Sequence, residues 1–358
     1  MTDYFEIDFL NVESRSSGDA IPIAYSVNGE EYIHVVDGGF IDTGEKVCNH
    51  IRKYYGNPTY IDHVVVTHPD GDHAGGLRKV LEEFEVGFLW MLRPWLYAKD
   101  LIPLFPRFSS VENLGNRLRE IYPNINALEE IALEKGITIA EPFQGASIGA
   151  FHVLSPTVEH WFTMLVESDK TPESIKRAEE DALVSRGLSV LAEKIVNFVK
   201  SAWGIEVFSE NETSAENEMS VVQYARLCDE TILLTGDAGR KALTSAADYA
   251  ESIGIALPGI KRFQVPHHGS RRNVSSDLLD RWLGPRLASE GEASFTAIIS
   301  AAKADKDHPR RSVVRACIHR GGRVISTEEN NICCWHNPRA REGWGPITPL
   351  TYPQDQED

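Results

Sequence analysis

Four side chains able to bind a divalent cation stand within six residues of one another: His68, Asp70, Asp72 and His73, in the stretch T-H-P-D-G-D-H-A-G-G. Imidazole nitrogens mixed with carboxylate oxygens suit Zn²⁺, Mn²⁺ or Fe²⁺ better than Ca²⁺. The β-branched run Val64-Val65-Val66 before them reads as a buried strand, and Gly75-Gly76 after them open a helical stretch, Leu77 to Phe84. A strand ending in such a turn aims its ligands into one small volume. Alternating ligands at 68, 70 and 72 fit an extended turn, and His73 can reach back from the helix start. The simpler alternative is a polar loop whose Asp and His cap a helix, which so dense a cluster disfavours.

Further along, two more strand ends carry the same residue types. T-I-L-L-T-G-D ends on Asp237, and F-Q-V-P-H-H-G-S brings His267 and His268. Alone, each would pass for an ordinary strand-ending turn. Their order after the first cluster is what gives them weight. Asp307-His308-Pro309 follows the strand Ala297 to Ser300 and is expected to start a helix, with His308 either a contact to a substrate phosphate, an acid, or a simple helix-entry residue.

The first cluster resembles the H-x-H-x-D-H signature of the metallo-β-lactamase superfamily, with Asp70 in the place of the second His. That variant, together with F-L-N-V…G-D-A-I, the strand ending at Asp37-Gly38-Gly39, and L-S-P-T, is similar to the metallo-hydrolase domain of ComEC-type competence proteins. The resemblance implies an αββα sandwich with the metal site where strands end. It implies two divalent ions, Zn or Mn. His68, Asp70 and Asn217 would hold one, Asp72, His73 and His268 the other, and Asp237 would bridge them. His267 is then either a support or the ligand itself, if the turn is shifted by one. Asp37 would prop the metal loop through hydrogen bonds. The implied chemistry is hydrolysis by a hydroxide shared between the ions, with Asp72 and His308 as catalytic candidates and Arg271, Arg272 and Ser270 as substrate contacts. A phosphodiesterase, most concretely a DNA nuclease, is the expected activity, though the fold hosts many hydrolases. Hydrolysis of a lactone, thioester or cyclic nucleotide, and a non-enzymatic interaction protein on the same fold, are the rival readings.

Around these residues the chain reads as one hydrolase domain over residues 1–335, with an acidic helical insertion at 158–216 and a Pro-rich, acidic tail at 336–358 that either wraps the surface or is disordered. Strands are expected at Tyr4 to Val12, Ala20 to Val27, Glu31 to Val36, Val86 to Met91, Gly149 to Leu154, Arg323 to Ser326 and Asn331 to Trp335. Helices are expected at Thr43 to Tyr55, from about Val111, at Asn126 to Gly136, from Thr171, and over Leu188 to Trp203. The aromatics Trp95, Tyr97 and Phe105 lie in a Pro-interrupted stretch, where they either stack on bases or close over the site as a lid.

The formal net charge of −17 argues against a protein that coats nucleic acid non-specifically. Its distribution is uneven: Pro258 to Val324 carries 13 Lys and Arg against 6 Asp and Glu, whereas Val158 to Glu218 carries 6 against 13. A local basic face suits an anionic substrate such as nucleic acid, and the acidic insertion suits partner proteins. No run approaches the roughly 20 apolar residues of a membrane span, and no signal peptide is evident, so a cytoplasmic protein without membrane contact is expected. Five cysteines without a C-x-x-C, two of them adjacent at 333 and 334, fit reduced, buried thiols.

Overall fold

A computed structural model describes residues 2–12, 14–171, 174 and 202–356. In chain order the strands are β1 (Phe5–Phe9), β2 (Ala20–Val27), β3 (Glu30–Gly38), β4 (Tyr60–Val65), β5 (Glu85–Trp90), β6 (Thr138–Ala140), β7 (Ser147–Ile148), β8 (Phe151–Ser155), β9 (Val222–Leu227), β10 (Glu230–Leu234), β11 (Arg262–Gln264), β12 (Phe295–Ile299), β13 (Gly322–Ser326) and β14 (Ile332–His336). They form two seven-stranded sheets, ordered β14-β1-β2-β3-β4-β5-β6 and β13-β12-β11-β10-β9-β8-β7. Both are mixed: β3 to β6 run parallel in the first and β10 to β13 in the second, with antiparallel neighbours on the other side.

The alternation along the inner strands explains the layering. Phe5, Ile7 and Phe9 on β1, Val36 on β3, Ile232 and Leu234 on β10, and Ile298 on β12 meet between the sheets. Neighbours such as Val35, Leu233, Ala297 and Ile299 face outward into two further cores, while Glu6 and Asp8 on β1 face the C-terminal tail. Over the first sheet lie helices Gly44–Tyr54, Leu77–Glu83, Val111–Ile121, Pro123–Lys135 and Val158–Glu167; over the second, Arg240–Ser252, Ser276–Leu283 and Arg311–His319. Each fully buried Leu, Val or Phe in these layers contributes about 1.5–3 kcal/mol. The result is the expected αββα sandwich.

Several expectations need adjusting. The aromatics of the Pro-interrupted stretch neither stack outward nor close a lid: Trp95 and Phe105 are buried in the outer core of the first sheet, because the 3-10 turns at Pro94–Tyr97 and Ile102–Leu104 fold them inward. Within the expected insertion, Val158–Glu167 belongs to that same outer layer through Trp161, Met164 and Leu165. The helices expected from Thr171 and over Leu188 to Trp203 lie almost wholly outside the described residues. The helix expected at His308 begins at Arg311. All five cysteines are free thiols as expected, but Cys228 and Cys333 are only half-buried.

The tail wraps the surface, held at its far end by Gln356, which accepts the Val207 N–H at 2.9 Å, and near its start by a buried ion pair. Arg341 Nη1 and Nη2 reach the Asp8 carboxylate on β1 at 2.6 and 2.9 Å, and the guanidinium lies 4.8 Å over the Trp344 ring. Asp8 also accepts from Tyr55 Oη at 2.6 Å and lies 3.0 Å from His50 Nε2. Burial alone would raise the Asp8 carboxyl; the hydrogen bonds from His50 and Arg341 outweigh it and hold it down at about 2. Breaking a buried pair on one side costs about 3–5 kcal/mol, so Arg341→Ala should lose about that much stability in urea unfolding at pH 7. Because the folded-state pKa is depressed, this stabilisation is present above the unfolded value of about 4 and fades as pH falls through it toward about 2. The unfolding midpoints of the two proteins should therefore converge across that window.

Candidate metal centre

β3, β4, β10, β11 and β12 all end at one edge of the sandwich, and each delivers a polar group there. β3 ends in Asp37, whose backbone is left-handed (φ 56°), a conformation that Asp tolerates better than most residues. Its Oδ1 accepts from the Thr67 N–H at 2.9 Å, and its Oδ2 accepts from Thr67 Oγ1 at 2.6 Å and lies 2.7 Å from His73 Nδ1. Asp37 thus braces the turn after β4 from inside. The two segments touch backbone to backbone: Gly76 N–H donates to Gly39 O at 2.9 Å, and a Cβ on Gly76 would sit 2.0 Å from Gly38 O. Only glycine fits that approach.

Asp237, after β10, is at the centre. Its Oδ1 lies 3.3 Å from His73 Nε2 and 3.9 Å from His268 Nε2; its Oδ2 lies 3.9 Å from His68 Nε2 and 3.7 Å from His267 Nε2. Asp72 Oδ2 joins the first set at 3.7 Å from His268 Nε2, and Asp70 Oδ2 the second at 3.8 Å from His68 Nε2. His267 and His268 therefore both face Asp237, one at each oxygen. Consecutive left-handed residues (φ 49° and 56°) turn both rings toward Asp237 from opposite sides, at a backbone cost of about 1–3 kcal/mol each.

Apart from the 3.3 Å approach of His73 to Asp237, which lacks hydrogen-bond alignment, these separations are too long for hydrogen bonds, and the groups are otherwise unsatisfied. His68 Nε2, His73 Nε2, His268 Nε2 and Asp237 Oδ1 are all buried and lack hydrogen-bond partners, an arrangement that costs about 1–3 kcal/mol per group. Two ligand atoms each about 2.1 Å from a shared tetrahedral ion lie about 3.4 Å apart, close to the observed spacing. The residues fit a divalent cation, and among the described residues the sets His68, His73, Asp237 and Asp72, His73, His268 each bring three ligand atoms within 4.8 Å.

The other nitrogen of each ring is engaged. His73 Nδ1 faces Asp37, His68 Nδ1 lies 3.1 Å from Thr67 Oγ1, His268 Nδ1 lies 2.8 Å from Ser300 O, and His267 Nδ1 meets the carboxamides of Asn273 and Asn217 at 3.0 Å each. Partners of this kind orient the rings. Burial lowers the basicity of His73 and His268, but the Asp237 carboxylate leads the charges that outweigh it, so His73 is raised well above its ordinary value and His268 to about 9. For His68 burial prevails, and its basicity falls.

Among the expected substrate contacts, Arg272 is exposed and Arg271 half-buried on the loop after His268, while Ser270 is buried with its hydroxyl accepting the Arg272 N–H at 3.3 Å. His308 stands over the site: its ring lies 5.5 Å from that of His267 and 6.1 Å from that of His268, and its Nδ1 is 3.2 Å from Asp305 Oδ2. A void of about 20 Å³ behind His68, lined by Met91, Tyr122 and Trp161 among others, has room for about one water.

Three contributors escaped the sequence reading. Asp19, fully buried, groups with Asp237 and His268 and with Asp37 and His73. Gln264 Nε2 donates to Asp19 Oδ2 at 2.8 Å, while its Oε1 accepts the N–H groups of Thr235 and Gly236, tying the Asp237 turn to β11. Asp305 accepts from the Ser17 N–H and Oγ at 3.1 and 2.7 Å. Only the G-D-A-I phrase hinted at Asp19.

Residues 38–138 match the model of the metallo-beta-lactamase superfamily. That stretch runs from the end of β3 to the start of β6 and contains the whole first cluster; Asp237, His267 and His268 join it through the fold alone. Chain architecture and match together give a metallo-β-lactamase-type sandwich, and the superfamily, whose members generally bind divalent metal ions, points to a metal-dependent hydrolase. No curated protein matches the chain. No helix among the described residues is long and apolar enough to cross a membrane.

An ion that binds only the folded state stabilises it, by about 2.7 kcal/mol at a hundredfold excess over its Kd. Zn²⁺ or Mn²⁺ added to chelator-treated protein should raise the melting temperature, and a chelator should reverse the rise. In Asp237→Ala the difference between the two conditions should largely disappear.

Proposed function

We propose that the protein is a phosphodiesterase acting on DNA, with two divalent cations at the centre. The observation that carries this reading is the Asp237 carboxylate, whose two oxygens face two separate sets of imidazoles and carboxylates. His68, Asp70 and His267 would hold one ion and Asp72, His73 and His268 the other. In this reading Asn217, expected from sequence as a ligand, supports His267 instead, its amide nitrogen lying 3.0 Å from the ring. When bound, the ions supply a water ionised near neutral pH and positive charge on the reacting phosphoryl group.

The chain's own residues do the rest. With its Nδ1–H donated to Asp305, and with burial and the neighbouring histidines disfavouring the imidazolium, His308 presents an unprotonated Nε2 beside the two ligand histidines, where it can take a proton from the attacking water. Arg271 and Arg272, on the loop that carries His267 and His268, receive the flanking phosphates. The ComEC-type resemblance and the basic stretch from Pro258 to Val324 support a polyanionic substrate.

With Asp72→Ala or His268→Ala, cleavage of DNA and of a small activated phosphodiester should fall to background while the far-ultraviolet circular dichroism stays unchanged. Reconstituted apoprotein should be at least as active with Mn²⁺ as with Zn²⁺, because the carboxylates give the centre a large oxygen share; activity with Zn²⁺ alone would refute that preference.

Charge reversal at both Arg271 and Arg272 should weaken DNA binding and flatten its dependence on salt by roughly two units of log–log slope. Turnover of the small phosphodiester should change much less. Equal loss on both substrates would mean that these arginines shape the metal loop instead.

A further inference from the structure

Lys170 reaches into the centre from outside the strand ends. Its Nζ lies 2.5 Å from Asp70 Oδ1, while the other oxygen of Asp70 faces His68. The backbone that carries it is fixed at several points. The Lys170 N–H donates to Ser168 Oγ at 2.9 Å, and Ser168 Oγ in turn donates to Glu216, which also accepts from Tyr122 Oη at 3.3 Å. Thr171 is fully buried, its hydroxyl donating to Leu165 O at 2.6 Å and Ser168 O at 3.1 Å. So many anchors hold a partly exposed ammonium at the lip of the site rather than leaving it to solvent.

The charge around the centre explains why a cation is needed there. Asp19, Asp37, Asp70, Asp72 and Asp237 all converge on it. Two divalent cations bring four positive charges against these five carboxyl groups, so a substrate that is itself an anion meets a centre with little or no attraction for it. Asp70 is the most exposed side of this set together with Asp72, and Lys170 touches it directly.

We propose that Lys170 is a specificity-determining residue: its ammonium, placed by the Asp70 contact, cancels the surplus carboxylate charge and gives the site its affinity for the anionic oxygens of a phosphate ester. The proposal rests on the phosphodiesterase reading above. Loss of one unit charge several ångströms from another, at the effective dielectric of a partly exposed site, is worth about a tenfold change in affinity.

The test uses the full chain loaded with Mn²⁺ and compares wild type, Lys170→Met and Lys170→Arg. Inorganic phosphate binding is measured by calorimetry, bound metal by elemental analysis, and turnover with an anionic phosphodiester and an uncharged phosphotriester sharing one leaving group. The expected result is about tenfold weaker phosphate binding in Lys170→Met, a KM for the diester raised by a similar factor with kcat nearly unchanged, no change with the triester, full metal content, and recovery in Lys170→Arg. Unaltered phosphate binding in Lys170→Met would overturn the proposal. Loss of one metal equivalent in that variant would overturn it too, since Lys170 would then serve to hold Asp70 as a ligand. If wild type cleaves no phosphodiester, the reading of function falls, while phosphate binding still decides the role of Lys170.

Discussion

The structure is organised by a set of buried groups that cannot satisfy one another. Three imidazole nitrogens lie 3.3 to 3.9 Å from the two oxygens of Asp237, and neither they nor Asp237 Oδ1 has a well-formed hydrogen bond. Apolar packing would never choose such a cluster, because each unpaired group costs free energy that nothing local returns. A divalent cation is what this set of ligand atoms is spaced to take. The two sheets make the cluster possible by ending β3, β4, β10, β11 and β12 at one edge, so that short turns from both layers face each other across a few ångströms.

Holding those turns requires polar bracing as specific as the ligands themselves. Asp37 locks the turn after β4 by three contacts, and Gln264 locks the Asp237 turn to β11 while reaching Asp19, just before β2 of the opposite sheet. Each histidine has its far nitrogen fixed. The left-handed backbone at Asp37, His267 and His268 is affordable only because this network and the glycine contacts at Gly38 and Gly76 over-determine it.

The same logic recurs at the periphery. Asp8 is buried among Arg341, His50 and Tyr55, and Glu206 is buried between His319 and Arg320, with its carboxyl held at about 2 because hydrogen bonds from those two residues overcome burial. The first joins the C-terminal tail to β1; the second joins the chain at Glu206 to the helix Arg311–His319. Buried ion pairs contribute little net stability, but breaking one is costly, so they fix which segments lie together.

What the sequence determined by itself was whatever depends on near neighbours. The first cluster was legible because its four candidate ligands and the strand before them are contiguous, whereas Asp237 and the His267-His268 pair, each at a strand end, gained weight only from their order after it. Most strands followed from β-branched runs, yet the helices Arg240–Ser252 and Ser276–Leu283 passed unread, the former because four of the five residues on its buried face are alanine. Whether Trp95 and Phe105 were exposed was undecidable from a Pro-rich stretch, since burial depends on what lies opposite. Only the tertiary structure decided that Asp19 and Gln264, 245 residues apart, meet; that Ser17 and Asp305, 288 residues apart, frame His308; and that both His267 and His268 face Asp237. A hydrogen bond or a shared ligand sphere is a statement about distance in space, and once two segments belong to different sheets their separation along the chain carries no record of it.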